Sequence, residues 1–133
     1  MTTYLMDTHI FLWALFSRDR LTARARGILE DERVIVCVSA VSFWEISLKY
    51  SIGKLEIDPF TPRELMDIGA QSGFVLKGVS PLEAATFYRL PRFAHRDPFD
   101  RMLIWQAIGQ KLTLISRDTA FADYRTHGLD VVW

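Results

Sequence analysis

The sequence lacks the features of several common classes of small protein. It contains a single cysteine, Cys37, so no internal disulfide can form, and a disulfide-stapled domain is excluded. Its three histidines, His9, His95 and His127, are scattered, and none pairs with a cysteine at zinc-ligand spacing. It has no glycine-rich phosphate loop, dinucleotide fingerprint or nucleophile elbow. Zinc, nucleotide-binding and serine-nucleophile chemistries are therefore without support.

Long apolar runs and an excess of charge of one sign are also missing. No apolar stretch approaches the roughly 20 residues of a membrane-spanning helix, and the N-terminus has no basic signal region, so we expect a cytoplasmic protein with no membrane segment. Sixteen basic and sixteen acidic side chains cancel, so bulk charge gives no support for nucleic-acid binding. Half of the 133 residues are hydrophobic, which favours one domain, residues 1–133, around a single core.

Strand and helix patterns alternate along the chain. The predicted strands cover about 3–6, 34–38, 74–79, 112–116 and 129–133. The predicted helices cover about 9–16, 22–31, 40–52, 62–71, 81–89 and 98–111. Ser39 is expected to cap the third helix and Gly53 to end it, and Ser80 with Glu83 forms a capping-box pattern. Strands separated by helical crossovers predict an α/β fold with a mainly parallel sheet covered on both faces.

Two acidic residues follow predicted strands. Asp7 comes directly after the first strand and Asp118 shortly after the strand at 112–116. Ligands of open parallel sheets bind beyond the carboxyl ends of the strands, so the topology could bring these distant acids to one edge. Each could instead be an ordinary helix N-cap.

Two further acids lie on apolar helix faces. Glu45 is predicted to share a stripe with three apolar residues, Val41, Leu48 and Ile52. Asp100 shares a face with Leu103, Ile104 and Ala107. Carboxylates avoid such positions unless they are paired or hold a cation. Lys49 could pair with Glu45, and Asp100 could be a first-turn acid that stabilises the helix dipole.

The segment before the last long helix contains two candidate ligands. Asp97-Pro98 is a typical N-cap followed by proline at the first helical position, so we expect Asp97 to cap the helix and Asp100 to be the ligand. The alternative is that both carboxylates face the site. Several carboxylates together favour a hard cation such as Mg²⁺ or Mn²⁺, which can activate water for phosphate chemistry without a histidine base.

Several basic and aromatic side chains have two interpretations. Lys49 and Arg101 lie near proposed ligands and could steady a phosphate. A cluster of arginines would be either a solvated helix face or an RNA-backbone contact: Arg18, Arg20, Arg24 and Arg26. Three aromatic residues are expected to be core or subunit contacts rather than base-stacking platforms: Phe43, Trp44 and Trp105.

The order of these motifs resembles the PIN-domain ribonucleases, and especially the VapC-type toxins of bacterial toxin–antitoxin pairs. The resemblance runs from MDTHIFLWAL to the final VVW, and its most specific part is HRDPFDRMLIWQA followed by LISRD. It implies a PIN-like α/β/α sandwich with four or five strands. It also implies that Asp7, Glu45, Asp100 and Asp118 bind one or two Mg²⁺ or Mn²⁺ ions, and that a metal-activated water hydrolyses RNA.

The same resemblance implies supporting residues and partners. Thr8 and Ser116 occupy positions where the family often has a hydroxyl beside the acids. Family members are usually homodimers held inactive by a small antitoxin. The alternative is a catalytically silent PIN-like interaction module, although such a module would normally have lost at least one acid. An Asp-nucleophile phosphatase needs a second Asp two residues after the first, where this chain has His9, and the paired acids of a receiver domain are not evident.

Overall fold

The computed structural model describes residues 2–133, which form an alternating series of strands and helices. The five strands are β1 (Thr3–Met6), β2 (Ile35–Ser39), β3 (Val75–Lys77), β4 (Thr113–Ile115) and β5 (Asp130–Val132). The α-helices are α1 (Thr8–Phe16), α2 (Ala23–Glu30), α3 (Ala40–Ser51), α4 (Pro62–Gln71), α5 (Pro81–Thr86) and α6 (Pro98–Gln110). Short 3-10 segments cover Arg18–Arg20, Phe87–Arg89 and Thr119–His127.

The strands form one parallel sheet in the order β3-β2-β1-β4-β5. β1 is central, and its Leu5 lies opposite Cys37 of β2 and Leu114 of β4. Successive residues of a strand point to opposite faces, so Leu5 and Met6 belong to different core clusters. The arrangement is the predicted α/β/α sandwich, with five strands.

Helices cover both faces of the sheet. On one face, Leu103 and Ile104 of α6 pack with Phe121 and Tyr124 around Leu5. The opposite face carries residues of α1 and α4 around Met6; these include Ile10, Phe11, Ala14 and Leu65. Because both faces are buried, the inner strands consist almost entirely of apolar residues. Among residues 2–133, no helix is both long enough and apolar enough to cross a membrane.

Local sequence signals place most of the helix ends. Ser39 accepts a hydrogen bond from the backbone N–H of Val41, as expected for the cap of α3. Ser80 and Glu83 form the predicted capping box at α5. The predicted helix at 81–89 is divided, because its last turn, Phe87–Arg89, is a 3-10 segment. The predicted strand at 74–79 is reduced to Val75–Lys77, at the edge of the sheet.

The buried side of α3 differs from the predicted stripe. Glu45 and Val41 are buried as expected, but Leu48 is 42% exposed and Ile52, which follows the helix, is 57% exposed. The buried positions are Val41, Ser42, Glu45 and Ile46, which lie on one side of the first two turns. Only the beginning of α3 is packed into the core, so the apolar residues of its end remain in solvent.

Candidate active site

The sheet brings Asp7 and Asp118 to the same edge. Asp7 directly follows β1, and Asp118 lies just beyond β4, the neighbouring strand. The backbone N–H of Asp7 donates to the carbonyl oxygen of Ile115 at 3.0 Å and so extends the pairing of the two strands. The site therefore forms at the carboxyl edge of the sheet, where parallel α/β folds bind ligands.

Asp7 is buried and does not cap α1. Its side chain makes no capping hydrogen bond, which removes the structural alternative for this residue. Instead, Ser116 Oγ donates to Asp7 Oδ2 at 2.8 Å, and Asp7 Oδ1 is buried with no hydrogen-bond partner among residues 2–133. Burial raises the pKa of Asp7, the Ser116 hydrogen bond opposes this rise, and the nearby charge of Glu45 adds to it.

Glu45 is buried on α3 and makes one ion pair. Lys49 Nζ lies 2.5 Å from Glu45 Oε2, which is the pairing considered from the sequence. Glu45 Oε1 is nevertheless buried with no hydrogen-bond partner in the described part of the chain. Burial lowers the pKa of Lys49, but its hydrogen bond and attraction to Glu45 outweigh that effect and raise the pKa overall. Lys49 is thus committed to Glu45, and one carboxylate oxygen remains unsatisfied.

Asp97 caps α6, as expected, and the Asp100 side chain does not share this role. Asp97 Oδ1 accepts hydrogen bonds from the backbone N–H groups of Phe99 at 2.9 Å and Asp100 at 3.1 Å, so Asp97 caps α6. The Asp100 carboxylate is left to face the other acids. Burial, followed by the charges of Asp7 and Asp97, raises the pKa of Asp100 from its ordinary value of 3.8 to about 7.

His95 is a member of the site that the sequence analysis did not identify. Its Nε2 lies 2.9 Å from Asp100 Oδ2, and its Nδ1 lies 3.9 Å from Asp118 Oδ2. The loop before α6 folds back to place this imidazole between two carboxylates. The available signal was that His95 is the histidine nearest in sequence to the third acid, in HRDPFD.

Asp118 caps a helical segment and also faces the acidic site. Its Oδ1 accepts a hydrogen bond from the Ala120 N–H at 2.9 Å, as an N-cap does, while Oδ2 faces His95. Its own N–H donates to Ser116 Oγ at 3.1 Å. Ser116 therefore connects Asp7 with Asp118, and the capping alternative for Asp118 is correct without removing it from the site.

The side chains of the remaining candidates, Thr8 and Arg101, bond to groups other than the acids. Thr8 Oγ1 donates to Ser42 Oγ at 2.9 Å rather than to an acid. Arg101 is buried, donates to the Leu90 carbonyl oxygen at 3.0 Å and stacks over Phe87. Arg101 therefore anchors the loop before α6 instead of facing the acids.

A cleft of about 590 Å³ opens onto the cluster. Its lining residues are Asp7, His9, Trp13, Asp100, Arg117, Asp118 and Thr119. Arg117 is exposed, and its guanidinium lies 5.4 Å from the centre of the Trp13 ring. Arg20, from the predicted basic cluster, lies 5.7 Å from the same ring. Sequence reasoning identified Arg20 but missed Arg117, which lines the cleft beside Asp118.

Two other arginines of the basic cluster donate hydrogen bonds to backbone carbonyl oxygens. Arg18 Nε donates to the carbonyl oxygen of Ala14 at 3.0 Å, and Arg26 donates to those of Arg18 and Leu21. Both side chains hold the turn between α1 and α2. Three of the four arginines, Arg18, Arg20 and Arg24, are exposed, as the solvated-face interpretation expects. Arg18 and Arg26 also satisfy backbone carbonyl groups.

The residues present fit a divalent cation. Two buried carboxylate oxygens, Asp7 Oδ1 and Glu45 Oε1, lack partners among residues 2–133. Burial, and then the charges of Asp7 and Asp97, raise the pKa of Asp100. One ligand atom from each of His95, Asp100 and Asp118 lies within 4.8 Å of the others. A cation among these groups would satisfy the free oxygens and offset the repulsion between the acids.

The fold and its acidic edge define a member of the PIN domain family. The family model matches residues 4–126, which is most of the chain, and the chain belongs to this family. A relative from Mycobacterium tuberculosis, Ribonuclease VapC22, is 27% identical over 135 residues and is matched over 100% of both chains.

Solved structures show the same fold. VapBC2 from Rickettsia felis, bound to a DNA fragment from its promoter, has a TM-score of 0.73 and 17% identity, covering 98% of both chains. A toxin–antitoxin complex from Klebsiella pneumoniae has a TM-score of 0.61 and 23% identity, covering 98% of this chain and 96% of that one. At these identities the likeness concerns the fold.

Proposed function

We propose that this protein is a metal-dependent endoribonuclease that acts as the toxin of a toxin–antitoxin pair, in the cytoplasm, with residues 1–133 forming one PIN domain. The observation that carries the proposal is the pair of buried carboxylate oxygens without partners, Asp7 Oδ1 and Glu45 Oε1, beside a carboxyl whose pKa is raised to about 7. Such a cluster is costly unless a cation occupies it. The resemblance of the chain to Ribonuclease VapC22 supports RNA cleavage as the reaction.

Asp7, Glu45, Asp100 and Asp118 are the residues that would hold Mg²⁺ or Mn²⁺. When bound, such an ion lowers the pKa of water and offsets negative charge on a phosphodiester. The chain's own residues hold the ligands in place. Ser116 orients Asp7 through a hydrogen bond, and Lys49 fixes one oxygen of Glu45.

The cleft also offers a contact for a polyanion. Arg117 and Arg20 lie over the Trp13 ring at its rim, and a guanidinium group held in this way can bind a phosphate of the RNA backbone. We infer that the RNA backbone passes over this pair as it enters the acidic cleft. The net charge of zero is then no obstacle, because the attraction is local.

The partners are proposed from the relatives and from one exposed surface. The toxin–antitoxin complex from Klebsiella pneumoniae shares the fold, which supports a small cognate antitoxin. A homodimer is supported by Trp44, which is 65% exposed and lines an apolar groove with Val79 and Met102. An exposed apolar groove of this kind is typical of a protein contact.

The direct test is RNA cleavage with Mg²⁺ or Mn²⁺ by the purified protein and by Asp7→Asn and Asp100→Asn. We expect cleavage by the wild type and a loss of at least about 10³-fold in each variant, because each removes a charge needed to hold the cation. Asp123→Asn changes an exposed aspartate and should retain full activity. Full activity of either site variant would refute the proposal. Absence of both cleavage and divalent-ion binding would instead favour the silent interaction module.

A further inference from the structure

His95 is placed among the acids by a loop, not by regular structure. It lies between α5 and α6, and its imidazole packs edge-on against the buried ring of Phe121, with the ring centres 5.2 Å apart. The His95 side chain is only 13% exposed. A largely buried imidazole held by an aromatic neighbour has a fixed orientation, and here both ring nitrogens face carboxylates.

The distances suit a ligand as well as a hydrogen bond. Two adjacent ligands of a six-coordinate ion, each about 2.1 Å from it, are about 3 Å apart. His95 Nε2 and Asp100 Oδ2 are 2.9 Å apart, and Asp118 supplies a third atom within 4.8 Å. The buried, unpartnered oxygen of Asp7 belongs to the same cleft and is an independent sign that the cluster is built for a ligand.

We propose that His95 is a nitrogen ligand, with Asp100 and Asp118, of a metal position that prefers a first-row transition ion such as Mn²⁺ over Mg²⁺. The inference rests on the proposed metal-dependent function and makes the identity of the ion more specific. Mg²⁺ strongly favours oxygen ligands, whereas imidazole is a good ligand for transition ions. In a site made only of carboxylates, the ligands would give no such preference for Mn²⁺ over Mg²⁺.

The test measures binding of Mn²⁺ alone and Mg²⁺ alone, without RNA, to the wild type and His95→Gln. Glutamine can still donate a hydrogen bond to Asp100 but offers no imidazole nitrogen. We expect the wild type to bind Mn²⁺ at least about tenfold more tightly than Mg²⁺. In His95→Gln the Mn²⁺ affinity should fall about tenfold or more, while the Mg²⁺ affinity should change less than about threefold. His9→Gln, which removes the other histidine of the cleft, is the matched control and should keep the preference.

Pulsed electron paramagnetic resonance of bound Mn²⁺ gives a second readout. The wild type and His9→Gln should show coupling to a directly bound ¹⁴N nucleus, and His95→Gln should not. RNA cleavage with Mn²⁺ bound but without nitrogen coupling would overturn this inference while leaving the nuclease proposal intact. Equal losses of Mn²⁺ and Mg²⁺ affinity would likewise overturn it, since they would mean that His95 only positions Asp100. A protein that binds no divalent ion would overturn both proposals.

Discussion

Replacing Asp100 with asparagine should stabilise the metal-free protein. The pKa of Asp100 rises from 3.8 to about 7 because the carboxyl is half-buried among other acids. Between these two pH values the folded protein holds more protons than the unfolded chain, so its stability falls as the pH rises. At about 1.4 kcal/mol per pH unit, the cost of ionising Asp100 at pH 7.5 is at most about 4 kcal/mol. Solvent screening of its exposed part lowers this to about 2–3 kcal/mol.

Asparagine has nearly the shape of aspartate but cannot ionise. We therefore expect Asp100→Asn to raise the free energy of unfolding by about 2–3 kcal/mol at pH 7.5 in EDTA. The gain should shrink to about 1 kcal/mol or less at pH 4.5, where the Asp100 carboxyl is protonated in the folded protein. Urea unfolding followed by tryptophan fluorescence measures both values. Asp123→Asn is the control, because it neutralises an exposed aspartate.

Two results would refute this reasoning. If Asp100→Asn were less stable than the wild type at pH 7.5, the Asp100 carboxylate would be a stabilising group, and neither its burial nor the neighbouring acids would destabilise the folded protein. If the gain were the same at both pH values, it would come from packing or hydrogen bonding. Added Mn²⁺ should reverse the order of stability, since the wild type binds the ion and gains free energy from it while the variant gains little.

Two further predictions concern the neighbours of the acids. Ser116→Ala should lower the stability of the metal-free protein by about 1–3 kcal/mol, because it leaves a second oxygen of Asp7 buried without a partner. Ser47→Ala, at an exposed serine of α3, is the control for the same urea titration. An equal effect of both changes would contradict the role of Ser116. Arg117→Gln should raise KM for a fluorogenic oligoribonucleotide about 5- to 10-fold, change kcat less than about twofold, and weaken the salt dependence of binding. An unchanged KM would place the RNA path elsewhere.

The sequence predicts the parts of the site that follow from regular structure. Asp7 and Asp118 lie where strand ends in a parallel sheet must meet, and the Asp97-Pro98 pair identifies Asp97 as the cap of α6. These predictions depend on local hydrogen bonding and on periodicity, which a sequence carries directly. Even so, Asp118 is both a cap and a neighbour of His95, so the two interpretations were not exclusive.

The residues that sequence reasoning misplaced depend on irregular backbone. The course of the loop before α6 places His95 in the site and Arg101 away from it. The Leu90 carbonyl oxygen of this loop accepts a hydrogen bond from the Arg101 side chain. No periodic pattern encodes that course. The exposed Leu48 has a different cause: hydrophobicity predicts a buried face but does not show how far along α3 the core extends. An uncovered apolar residue and a buried one have the same signal in the sequence.

The hydrogen bond from Ser116 to Asp7 joins residues 109 positions apart. During synthesis Asp7 is therefore made early, but the neighbouring strand β4 and the hydrogen bond from Ser116 can form only near the end of the chain. A partly synthesised chain has the first acids but no cleft. The order of the strands therefore means that the proposed nuclease site is complete only when nearly all of the fold has been made.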